Sequence, residues 1–262
     1  MQLKRRTLLS GLAASAAVPF MSAAHAKQAD ADTKWDKETD VLVIGYGGAG
    51  ACAAIEAHDK GSKVLIIEKM AQPGGNTAIS SGGFMVPQDG PTALKYLTAT
   101  YDLANSEKDD ELLNTFCKEI MGVKDWMTGL KEGTELWVYG HAGFQNLPGW
   151  EVIDKYRVRG KKRSGDCLFD LYRYAVEEKR NIPVMLETPA VQLIQKDGQV
   201  VGAVAQNNGK NINIKANKAV ILTTGGYEFD PESLRTYAQG ENYHALGNPG
   251  NTGDGLRMAQ SM

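Results

Sequence analysis

The chain has 262 residues, of which 42% are hydrophobic and 23% charged, with a formal net charge of −2. This is an ordinary globular composition, enough for one large domain or two small ones. The charge balance offers no basic surface for nucleic acid, and no apolar run near about 18 residues follows the first 26, so no membrane span is expected in the mature chain.

In chain order, Lys4, Arg5 and Arg6 precede an apolar stretch over residues 7–21, and Ala24-His25-Ala26 forms a small-residue cleavage site. Residues 1–26 therefore read as an export signal with cleavage near Ala26, its apolar part short for a membrane span. The Arg5-Arg6 pair followed by Leu8-Leu9 resembles a twin-arginine signal, although Lys4 and Leu8 depart from the usual residues. That route carries folded proteins and suits an exported, periplasmic enzyme loaded with its cofactor in the cytoplasm; a general secretory signal is the alternative. Residues 27–38 are polar and read as a loose leader. The domain proper is expected over 39–262.

Residues 40–68 carry the most information. Residues 41–44 are a continuous apolar run, as in a strand buried on both faces. Gly45 allows a tight turn, Gly47 lets a pyrophosphate approach the backbone, and Gly50 lets a helix pack closely on the strand. A helix over 48–60 begins with free N–H groups and the positive end of its dipole, which favour phosphate. Small residues keep it thin, and Gly61 stops it. A second strand over 63–67 ends at Glu68, 18 residues after Gly50. A carboxylate there can accept the ribose hydroxyls and would repel a 2′-phosphate, so FAD or NAD is favoured over NADP.

Residues 72–87 hold Gly74-Gly75-Asn76-Thr77 and Ser80-Ser81-Gly82-Gly83, a loop able to bring many backbone N–H groups to a ligand. Helices are predicted over 91–103 and 110–130, the second with an apolar stripe of Leu112, Leu113, Phe116, Ile120, Val123 and Trp126 that reads as core. Residues 131–164 show no clear period and end in a basic cluster of Arg157, Arg159, Lys161, Lys162 and Arg163. The cluster is read first as a solvated loop and second as a positive entrance for an acidic substrate. A helix over 166–179 follows. Short strands are predicted near 184–186, 190–195, 200–206 and 211–216, with Asp197-Gly198 and Asn208-Gly209 as hairpin turns. This is an antiparallel meander inserted in an α/β domain. Another buried strand over 219–222 runs into Thr223-Thr224-Gly225-Gly226, and Asn251-Thr252-Gly253-Asp254-Gly255 opens a last helix with no stop signal, so the chain reads as cut off inside an element. Cys52, Cys117 and Cys167 have no metal-pair spacing, and no CxxCH haem motif occurs. An oxidising compartment would allow a disulfide between Cys117 and Cys167.

Four motifs in order, Gly45-x-Gly-Gly-Ala-Gly, Gly74-Gly-Asn-Thr with Ser81-Gly-Gly, Thr224-Gly-Gly and Thr252-Gly-Asp-Gly, resemble the FAD-binding domain of the fumarate reductase and succinate dehydrogenase flavoprotein family. The exported flavocytochrome c fumarate reductases and urocanate reductases are the nearest in kind, and 3-ketosteroid dehydrogenases share the motifs. The resemblance implies an α/β, Rossmann-like domain with a parallel sheet and an inserted antiparallel meander, the capping (clamp) domain lying outside the chain. It implies FAD held by Gly45, Gly47, Gly48, Ala49 and Gly50 at the pyrophosphate turn, by Glu68 on the adenosine ribose, by Lys69, and by the Val191 backbone at the adenine. Gly75, Asn76, Thr77, Ser81, Gly82 and Gly83 would surround the pyrophosphate, ribityl chain and flavin edge. Thr224, Gly225 and Gly226 would pass close to the cofactor, and Asp254 would hold its flavin half. In the family, flavin N5 passes hydride to an alkene polarised by a carboxylate. The substrate groups lie beyond the last motif, so no catalytic residue and no metal ligand is assigned, and His58, His141 and His244 match no family position. A small unsaturated acid as substrate and a separate electron donor, a c-type cytochrome or quinol-linked protein, are implied partners. The basic Lys161-Lys162-Arg163 stands where fumarate reductases are glycine-rich. A ketosteroid dehydrogenase-like enzyme and a non-catalytic FAD-binding fragment are the alternatives.

Overall fold

The computed structural model describes residues 27–29, 33–238 and 244–262. The expected export signal lies outside the described residues. Lys27–Gln28 forms β1, and Lys37–Ile44 forms β2, which feeds α1 (Gly48–Asp59) and then β3 (Val64–Ile67). The short α2 (Gly75–Ile79) and β4 (Phe84–Pro87) follow, then α3 (Gly90–Leu103), α4 (Asp110–Glu119) and α5 (Val123–Gly129). β5 (Leu136–His141) and β6 (Ile153–Val158) precede α6 (Ser164–Arg173), which widens into a π-helical turn over Tyr174–Glu178. β7 (Val184–Met185), β8 (Ala190–Lys196), β9 (Gln199–Asn207), β10 (Lys210–Leu222), α7 (Pro231–Tyr237) and α8 (Asp254–Gln260) complete the described chain.

The strands make a seven-stranded sheet, order β1-β8-β9-β10-β2-β3-β7, and a three-stranded sheet, order β4-β6-β5. β10, β2, β3 and β7 run parallel, whereas β8, β9 and β10 form the antiparallel meander. β2 lies between two parallel neighbours, which explains why its last residues are apolar on both faces. The period-2 alternation of a strand then sorts them. Val41 and Val43 pack with Ala51, Ala54 and Ile55 of α1 and Phe169 of α6. Leu42 and Ile44 pack with Leu193, Ala203 and Ile214 of the meander and Met258 of α8. Each Val, Leu, Ile, Met or Phe among them, fully buried, stabilises the fold by roughly 1.5–3 kcal/mol. The helix over 48–60 and the hairpin turns at Asp197-Gly198 and Asn208-Gly209 are where the sequence places them.

Several elements differ from expectation. The strands foreseen over 211–216 and 219–222 are one long strand, β10, with a bulge between Ala216 and Ala219. Its first part pairs antiparallel with β9 and its last part pairs parallel with β2, so the meander continues the parallel sheet. β2 begins at Lys37, inside the stretch read as a loose leader, and Lys27–Gln28 pairs with β8. The helix foreseen over 110–130 breaks at a 3-10 turn, Ile120–Gly122, where glycine weakens helix. Its stripe is only partly core: Leu113 is buried at 7% exposure, while Leu112 and Phe116 are exposed at 65% and 49%. Residues 131–164 are not an aperiodic loop, because β5 and β6 pair there. A bulge between Val138 and Gly140 breaks the alternation, and one sheet partner, β4, is remote in sequence. The basic cluster is largely neutralised by Arg159–Glu135, Lys162–Asp170 and Arg163–Asp166 ion pairs at 3.2, 2.6 and 2.8 Å, and Arg157 stacks on the Tyr139 ring at 3.9 Å. Arg159, Lys161 and Lys162 also line an open pocket together with Lys131, Glu132 and Glu135. All three cysteines are free. Among the described residues there is no helix long and apolar enough to cross a membrane.

Candidate cofactor site

The site begins where β2 ends. Gly45 adopts φ +105°, and a Cβ there would strike the Thr223 carbonyl, so only glycine makes this turn. Its N–H donates to the Ile67 carbonyl at 2.8 Å, tying the turn to the end of β3. Gly47 is the N-cap of α1, and the Gly48 N–H donates to Thr77 Oγ1 at 3.0 Å. The first-turn amides at Ala49 and Gly50 have no carbonyl of their own helix to bond. Gly50 is buried against the Gly45 carbonyl, which brings the positive end of α1 close to the strand.

Glu68 follows β3 and is held from two sides. Its Oε2 accepts the Tyr46 N–H at 2.7 Å and its Oε1 accepts the Met70 N–H at 2.8 Å. A carboxylate has about four acceptor positions, so two remain for a ligand. Tyr46 thus links the glycine turn to the acid. Its ring is fully buried, edge-on to Phe169 at 5.3 Å, and burial together with neighbouring Glu177 pushes its phenol far above the ordinary range, keeping it neutral. Lys69 Nζ donates to Thr252 Oγ1 at 2.8 Å and pairs with Asp254 Oδ2 at 2.5 Å, joining the end of β3 to the start of α8. Arg257 holds the other Asp254 oxygen at 2.9 Å.

These pieces surround one cleft enclosing about 1020 Å³ of atom-free space, part of it open to solvent. Of the residues named from the sequence, Gly45, Gly47, Gly48, Ala49, Glu68, Lys69, Gly75, Asn76, Thr77, Thr224, Gly225 and Asp254 line it. Gly50, Ser81, Gly82, Gly83, Val191 and Gly226 are outside the lining. Gly82 abuts the Ser164 and Gly165 backbone, and Gly83 abuts the Tyr139 hydroxyl. A bulge between Ala190 and Gln192 leaves Val191 unpaired and puts Ala190 on the wall. Gly226 lies against the Glu228 carboxylate. Gly74-Gly75-Asn76-Thr77 is not all loop, since α2 starts at Gly75. The sequence reading missed Thr188, Asn248 and Asn251, together with the apolar walls Ile44, Ile67, Leu222 and Met258. Nothing in their local pattern separates them from core or loop residues. Among the described residues no cluster of three or more His, Cys, Asp or Glu could hold a metal ion.

Bare backbone at a helix start, an acid fixed 18 residues beyond Gly50 and an apolar wall fit a dinucleotide. The sequence profile of the FAD binding domain family matches residues 40–262. The chain belongs to this FAD binding domain family. FAD is its cofactor. A curated relative, the acrylate reductase flavoprotein subunit of Shewanella woodyi, is 33% identical over 245 residues, covering 86% of this chain and 46% of the relative. The fumarate reductase (cytochrome) of Shewanella frigidimarina is 30% identical over 233 residues, covering 85% of this chain and 39% of the relative. The open conformation of a flavocytochrome c3 fumarate reductase superposes with a TM-score of 0.74 at 27% identity, covering 86% of this chain and 40% of that one. The chain thus spans less than half the length of these relatives.

Proposed function

We propose that this FAD-binding domain serves a flavin-dependent reductase of an α,β-unsaturated carboxylate, with export directed by residues 1–26. Acrylate and fumarate, the substrates named for the two curated relatives, are both unsaturated carboxylates, and this supports the substrate class. The observation that carries the cofactor reading is the convergence of four sequence-distant turns on one cleft, with Glu68 braced by the Tyr46 N–H at its edge. Bound FAD would supply hydride chemistry at the flavin. This chain's residues bind and orient it. The α1 start, with Gly47, Gly48 and Ala49, meets the pyrophosphate; Glu68 accepts the ribose hydroxyls; Asn76, Thr77, Thr224, Gly225 and Asp254 border the remainder. Ser81, Gly82 and Gly83 follow in chain from Thr77 and are proposed to border the flavin edge through the loop they form. A separate electron donor, a c-type cytochrome or quinol-linked protein, completes the proposal.

The test is equilibrium dialysis of the purified chain against FAD, NAD and NADP, with a visible spectrum of the retained fraction. The expected result is a yellow protein holding FAD and neither nicotinamide cofactor. A colourless protein that retains NAD would overturn the reading.

A further inference from the structure

Glu228 lies just after the Thr224–Gly225–Gly226 turn and is absent from the cleft lining, yet it holds two residues that line it. Its Oε1 accepts Asn76 Nδ2 at 2.9 Å and Asn251 Nδ2 at 2.6 Å. A carboxylate can only accept, so both asparagines must turn their NH2 groups toward it. That choice fixes their other ends. Asn76 Oδ1 accepts the Asn248 N–H at 2.7 Å, and Asn251 Oδ1 lies where a Cβ on Gly225 would have to sit. Asn251 is itself buried, and its carbonyl accepts the Phe229 N–H at 3.0 Å.

One carboxylate therefore joins three segments far apart in sequence: the first turn of α2, the turn after β10, and residues 248–251. All three contribute to the cleft wall, through Asn76, Gly225, Asn248 and Asn251. Burial pushes the Glu228 carboxyl up, but Asn251, the residue's own backbone N–H and Asn76 together outweigh it and hold the group below the usual carboxylate range. It is an anion at neutral pH.

We propose that Glu228 is a positioning residue for FAD, selecting the one amide orientation of Asn76 and Asn251 with which the cleft binds its cofactor. The role rests on the FAD reading above. It differs from a plain brace because it depends on which partner donates and which accepts, not on bulk.

The test is a donor–acceptor swap. Glu228→Ala removes the acceptor, and Asn76→Asp sets two carboxylates against each other. The double variant Asn76→Asp/Glu228→Gln exchanges the roles at the Asn76 contact: Glu228 meets both asparagines with Oε1, whereas the introduced amide turns its NH2 to donate to the introduced carboxylate and its carbonyl to accept from Asn251. FAD affinity is read by fluorescence titration, the resolution of the flavin visible band reports the cofactor's surroundings, and thermal unfolding without FAD reports the fold. Each single change is expected to weaken FAD by about tenfold or more, the scale of a hydrogen bond to a charged group. The double variant is expected to recover to within about threefold of the parent, as coupled neighbours do in a mutant cycle. If the parent binds FAD and Glu228→Ala binds it equally well, the positioning role is overturned and the FAD reading stands. The role is also overturned if the double variant binds no better than Asn76→Asp. A parent chain that fails to bind FAD overturns both.

Discussion

At the scale of single residues, Glu68 shows how one side chain that braces the fold is placed to meet a ligand in the proposed site. Its two oxygens already accept the Tyr46 and Met70 N–H groups at 2.7 and 2.8 Å, so the carboxylate is aimed before any ribose arrives. Such preorganisation lowers the ordering cost of binding. Glu68→Ala removes both the proposed ribose acceptor and the support for two amides. FAD affinity should fall by roughly 1.5–3 kcal/mol, the range for a hydrogen bond to a charged group. Glu68→Gln retains one acceptor oxygen and should lose less. Isothermal titration of both variants checks this; equal affinity in all three proteins would remove Glu68 from the ribose. The acid's place was legible because its distance from Gly50 is set by one helix and one strand. Its two amide donors were not legible, since backbone N–H groups leave no mark in a sequence.

At the scale of elements, hydrophobic periodicity located helices but did not say which side of them is covered. The stripe on α4 is a case. Leu113 meets the core, whereas Leu112 and Phe116 point to the surface among the described residues. Leu113→Ala should therefore destabilise by about 2–4 kcal/mol, as large-to-small core changes do. Leu112→Ala should cost about 0.5 kcal/mol or less, as surface substitutions do. Urea unfolding of the two variants separates them, and equal losses would mean that Leu112 is covered as well. β10 teaches the complementary lesson. Local pattern read its two halves as two strands because Asn217 and Lys218 interrupt the apolar run, and a bulge carries the strand across them. The three-stranded sheet was missed for a related reason: β4 and β6 are far apart in sequence, and cross-strand pairs such as Phe84 with Tyr156 become visible only once paired.

At the scale of the whole molecule, the cleft is a meeting place of segments that begin near residues 45, 68, 75, 224 and 248. Lys69–Asp254, Glu228–Asn76 and Thr77–Gly48 are among the cross-links that hold them together. A ligand that touches all of these segments binds only the folded arrangement. FAD at about 100 times its dissociation constant should then stabilise the chain by about 2.7 kcal/mol. A thermal unfolding series with rising FAD checks this, and a midpoint independent of FAD would contradict a shared site.

The sequence alone determined the cofactor class and the glycine turns, because close approach of backbone to phosphate demands glycine at fixed spacing from a strand, a helix and an acid, all within about 30 contiguous residues. Those constraints are local, so they are written locally. Only the tertiary structure decided that Ala190, Thr188 and Asn251 line the cleft, and that Glu228 reaches back to the start of α2. These depend on a strand bulge and on contacts between residues more than a hundred positions apart, where no periodicity connects one partner to the other.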